Sequence, residues 1–152
     1  MIFPVIVAAV FLLPVGPKNA HEKPESGRCD GTSWYACLPE AERGMFLKAF
    51  ETALSLRERS DWTKLYDFML NEEGISRKQF QDRMGKVDSL VFFHPASMTY
   101  IKSSDRWVIK GVARFKNPSH GREYSAHCSM RAYRVGNEWL FDNVALDVTG
   151  GK

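Results

Sequence analysis

The sequence predicts an α+β fold, with three N-terminal helices packed in the concave face of a curved, mainly antiparallel sheet. Three observations lead there. Apolar residues recur at helical spacing between positions 39 and 85, polarity alternates between positions 89 and 148, and two turn sequences join the last three alternating runs into hairpins.

The chain begins with an almost wholly apolar run, Met1 to Val15, too short to span a bilayer comfortably as a helix and of the right length for the core of an export signal. Residues 1–20 are therefore read as a signal peptide or an N-terminal anchor. The anchor stays open because no Lys or Arg precedes the run, and Lys18 stands where cleavage after Ala20 would prefer a small residue. Membrane association through residues 1–16 belongs to that second reading. A polar stretch, 21–33, with Pro24, Ser26, Gly27 and Gly31, reads as a linker, and 34–150 as one domain. The expected location is extracytoplasmic, periplasmic or secreted.

The formal charge is +3, and the Lys and Arg residues are interleaved with acids, which argues against nucleic acid as a partner. Cys29, Cys37 and Cys128 fit no metal spacing, and no phosphate loop or nucleophile elbow occurs, so neither a metal nor a cofactor is expected. In an oxidising compartment Cys29 and Cys37 can close a small loop, leaving Cys128 as a buried hydrophobe. Cys29–Cys128 is the other pairing the sequence allows.

The first helix is expected from Pro39, whose fixed φ suits a first turn, with Glu40 and Glu42 at the positive end. Phe46, Ala49, Phe50, Ala53 and Leu54 form its apolar face, and Lys48, Glu51 and Arg57 are placed off it. Ser60-Asp61 caps a second, short helix with Trp62, Leu65, Tyr66 and Met69 on one stripe. Ser76-Arg77-Lys78-Gln79 is a capping box, Ile75 and Phe80 have the spacing of a hydrophobic staple, and Gly85 is expected to close this third helix in a left-handed conformation.

Leu90–Phe93 and Ser97–Lys102 read as two short strands split by His94-Pro95, because proline lacks the amide hydrogen a ladder needs. Arg106–Lys116, Glu123–Val135 and Glu138–Val148 are longer strands. Pairing Phe115 with Tyr124 sets Gly111 opposite Cys128. The two-residue turn Gly136-Asn137 sets Val135 against Glu138, Arg131 against Asp142, Ala132 against Phe141, Met130 against Asn143, Cys128 against Ala145 and Ala126 against Asp147. Both registers put the same row inward.

The order of elements resembles the nuclear-transport-factor-2-like superfamily, a group of cystatin-like α+β cones. The residues carrying the likeness are Phe46–Leu56, Asp61–Met69, the Ile75-Ser76-Arg77-Lys78-Gln79-Phe80 helix entry, Val108–Phe115 and Glu138–Asp142, over about Pro39 to Val148. The resemblance implies a sheet wrapped around the helices, a pocket at the open end of the cone, and frequent dimerisation through the outer sheet face. Its members include isomerases and dehydratases as well as non-catalytic accessory domains, so fold does not fix function.

The expected pocket residues are Tyr66, Tyr100, Tyr124, Cys128, Met130, Asn143 and Asp147. Asp147 with Asn143 is the catalytic candidate, because a desolvated carboxylate has the raised pKa a general base needs. Val108, Lys110, Val112, His127, Arg131, Tyr133, Asp142 and Val144 are expected on the outer face; apolar and basic residues there suggest a partner covering it. The expectation is thus an exported, non-catalytic binding or accessory module that forms a homodimer or meets an envelope protein, with a small apolar ligand as a further possible partner. The alternative is a small-molecule isomerase, dehydratase or hydrolase using Asp147.

Overall fold

The structure, a computed structural model, describes residues 27–148, with side chains described through Asp142. Three helices and a five-strand antiparallel sheet make up the fold. They run β1 (Arg28–Asp30), α1 (Glu40–Glu58), α2 (Trp62–Leu65), α3 (Arg77–Met84), β2 (Ser89–Ile101), β3 (Arg106–Lys116), β4 (Glu123–Val135) and β5 (Glu138–Val148). The strands lie side by side in chain order, so the sheet is a meander. Helix α1 packs against β2 and β5.

Local chemistry explains the helix boundaries. Glu40 and Glu42 occupy the first turn of α1 behind Pro39. Asp61 accepts from the Lys64 amide at 3.3 Å and opens α2, which tightens after one turn into a 3-10 turn, Tyr66–Phe68. At α3 both capping-box bonds are present: the Gln79 amide donates to Ser76 Oγ at 3.2 Å, and the Ser76 amide to Gln79 Oε1 at 2.8 Å. Gly85 ends α3 at φ −66°, a right-handed conformation, because the chain leaves by a further turn, Lys86 N to Arg83 O, rather than a left-handed cap.

The β3–β4 register is the one the turn predicts, with Phe115 opposite Tyr124 and Gly111 opposite Cys128. Two other expectations change. Strand β2 is continuous through Pro95, because the register skips between Pro95 and Ser97, and the missing amide falls at this bulge. Strand β5 keeps Val135–Glu138, Arg131–Asp142 and Ala132–Phe141. Beyond these it shifts, pairing Ser129 with Asp147 and Cys128 with Val148, so the expected pairings of Met130, Cys128 and Ala126 with Asn143, Ala145 and Asp147 do not form. The turn dictates the register only as far as the irregularity between Ser129 and Arg131.

Regular structure is also present before Trp34. Residues Arg28–Asp30, read from the sequence as part of a linker, form β1 on the edge of β2, and Cys29 is joined to Cys37 by a disulfide. Residues 1–26, which include the expected export segment, lie outside the described residues.

The core sits between α1 and the inner sheet face. Phe46, Phe50, Phe93, Trp139 and Phe141 touch with ring centroids 5.0 to 6.4 Å apart. Ile109, Ala113, Cys128, Met130 and Ala132 close the sheet side, each at most 1% exposed. Burying these side chains contributes on the order of 1.5–3 kcal/mol for each large one. Among the described residues no helix is long and apolar enough to cross a membrane.

Candidate functional site

Of the residues predicted to line one pocket, those whose side chains are described are dispersed. Cys128 and Met130 are at most 1% exposed within the packed core. The Tyr66 hydroxyl donates to the Ile75 carbonyl at 2.7 Å and accepts from Asn71 Nδ2 at 2.9 Å, fastening the loop before α3. The Tyr100 hydroxyl donates to Asp105 at the β2–β3 turn, 2.5 Å away. Tyr124 packs on Phe115 in the inner row but is 44% exposed at the end of the sheet, with its hydroxyl on Asp88 Oδ2 at 2.7 Å. The side chains of Asn143, Val144 and Asp147 lie outside the described residues.

The outer face is better assembled. Lys110 and His127 are exposed in the middle of the sheet, with Val108, Val112 and Tyr133 partly exposed beside them. Arg131 reaches Asp142 at 3.2 Å as a cross-strand ion pair, and Arg114 reaches Glu123 at 3.9 Å. A shallow hollow of about 320 Å³ opens where the Ala96 bulge draws away from Lys110, Val112 and His127. At one corner this face meets the helices. Arg131 and Asp142 line a cleft of about 450 Å³ with Met69, Ile75, Phe80 and Met84, so this pair borders α3 as well as the open sheet.

A polar cluster that sequence reasoning missed lies where α1 ends. Arg57 is 1% exposed, and its Nη2 donates to the Asp88 carbonyl at 2.7 Å. The guanidinium lies 5.1 Å from the centroid of Trp62. Asp88 in turn accepts from Tyr124 at 2.7 Å and from Asn117 Nδ2 at 3.2 Å. Burial lowers the Arg57 pKa to about 10, partly offset by the Asp88 carboxylate, so Arg57 is charged at neutral pH. The bond to Asp88 pushes Tyr124 up to about 12. Arg57 sits at i, i+4, i+7, i+11 from Phe46 with Phe50 and Ala53 between, so its spacing already placed it on the buried stripe. Its charge obscured that.

This cluster joins α1, β2, the β3–β4 turn and β4, and its chemistry is that of a structural clasp. Arg57 has no open path to solvent, and no group of three or more His, Cys, Asp or Glu side chains suited to a metal occurs among the described residues.

Comparison of the chain with known protein families, curated proteins and solved structures found no match. The class the structure defines is therefore an α+β protein with three helices before four of its five antiparallel strands. Its Cys29–Cys37 disulfide is consistent with an oxidising, extracytoplasmic location.

Proposed function

We propose that the chain is an exported, non-catalytic binding or accessory domain of the nuclear-transport-factor-2-like kind, working through the outer face of its sheet with a second copy as the occupant. The observation that carries this reading is the open centre of that face. Val108 and Val112 are only partly buried on β3, between exposed Lys110 and Arg114, and exposed His127 stands across from Val112 on β4. A two-fold interface uses one patch on both copies, and a flat face with apolar residues between charged ones suits it. The packing of Phe46, Phe50, Trp139 and Phe141 against the inner face further favours a binding surface over an enclosed substrate site.

Native mass spectrometry and light scattering of the exported protein test the proposal. The expected result is a dimer without retained ligand, converted to a folded monomer by Val108→Glu with Val112→Glu. A wild-type monomer at every concentration would sink self-association. A co-purifying small molecule would favour the enzymatic alternative, and Asp147→Asn would then be the variant to assay.

A further inference from the structure

We propose that the Cys29–Cys37 disulfide is a redox latch that holds β1 on the edge of β2, and that its reduction frees β1 while the rest of the domain stays folded. The two cysteines are anchored very unequally. On the Cys37 side, Trp34 packs on Phe46 and Phe50 with centroids 5.9 and 5.0 Å away, and Leu38 is 1% exposed. Arg43 adds two bonds there, to the Ala36 carbonyl at 2.7 Å and the Leu38 carbonyl at 3.0 Å.

On the Cys29 side the described contacts beyond the ladder are few, the half-buried Cys29 itself packing at the edge of the core. Strand β1 is three residues long, paired as Arg28–Thr99, Cys29–Met98 and Asp30–Ser97, with Arg28 and Asp30 exposed. One further backbone bond extends it, from the Tyr100 amide to the Gly27 carbonyl at 2.8 Å. A strand this short buries too little to hold itself on an edge, so its attachment is inherited from Cys37 through the disulfide. Elsewhere along that edge β2 is guarded by Pro95 and by two bulges, whereas among the described strands Ser97–Thr99 is covered by β1.

The chemistry balances with a dithiol as reductant. Its thiolate attacks one sulfur of the disulfide, the second thiol resolves the mixed disulfide, and Cys29 and Cys37 leave as two thiols while the dithiol closes to its own disulfide. The latch is then closed where thiols are oxidised and open where they are kept reduced.

Hydrogen exchange of the oxidised protein, with and without dithiothreitol, tests this, with thiol state read from intact mass. On reduction the Tyr100 amide is expected to exchange at least about tenfold faster while amides of the β3–β4 ladder keep their protection. The double variant Cys29→Ser with Cys37→Ser is expected to match the reduced protein with or without dithiothreitol. A Tyr100 amide that stays protected after reduction would show that the ladder holds β1 unaided. Equal acceleration in the β3–β4 ladder would show that the disulfide supports the whole domain. Either result overturns the latch.

Discussion

The Arg57 guanidinium donates to the main-chain carbonyl of Asp88 at 2.7 Å, so a buried cation at the end of α1 is held by the backbone just before β2. The neighbouring Asp88 side chain gathers Tyr124 and Asn117. Four segments of chain thus meet through two residues.

Replacing Arg57 by Ala removes the donor and opens a void beneath Trp62, and is expected to cost about 3 kcal/mol of stability. Asp88→Asn keeps both the main-chain acceptor and a side-chain oxygen, and is expected to cost about 1 kcal/mol. Urea denaturation of the two variants compares them. Equal losses would mean that the carboxylate charge, rather than the backbone bond, holds Arg57.

Gly111 lies where β3 crosses the β2 bulge. A methyl group there would stand 2.1 Å from the His94 carbonyl oxygen, and backbone cannot yield as a side-chain tip does. Gly111→Ala is expected to lower stability by about 3 kcal/mol through overpacking. Gly44, in α1, meets nothing within 4 Å, and Gly44→Ala is expected to raise stability by about 0.5–1 kcal/mol. Opposite signs in thermal unfolding of the pair are the expected outcome.

Tyr100 and Tyr124 are expected to ionise late. The hydrogen bond to Asp105 raises Tyr100, and that to Asp88 raises Tyr124, each to about 12 from an ordinary 10.0. A folded-state pKa above the unfolded one means that the folded protein holds the proton more tightly. This contribution is complete below pH 10 and is lost as pH rises toward 12. Phenolate absorbance during an alkaline titration should show Tyr100 and Tyr124 ionising late, and Tyr124→Phe should reduce that late change. A late titration left unchanged by Tyr124→Phe would contradict the hydrogen bond to Asp88.

Much of the frame is legible in the sequence because its causes are local. The capping box lies within four residues, and the β3–β4 register follows from one turn and two alternating rows. The β5 shift past Asp142 was not legible, since alternation survives a bulge without announcing it. Nor was the fate of the interior, because a row of inward residues is the same whether it lines a cavity or a core. What settles that is the meeting of Phe46 and Phe50 with Phe141 and Trp139, brought together from distant parts of the chain. Arg57 was misplaced for a related reason. Charge suggests solvent until its partner, 31 residues on, comes into view.

The meander order carries a consequence for assembly. Strands β2, β3 and β4 each meet the next strand across a short connection, so those ladders close short loops. Strand β1 is different, for Cys29 must wait for Met98, 69 residues later. A chain made from its N-terminus carries β1 without a partner through the synthesis of all three helices. Loop-closure entropy thus makes β1 the costliest of the described strands to dock, and a covalent tie to Cys37, eight residues away, carries it along with the segment whose Trp34 packs on α1.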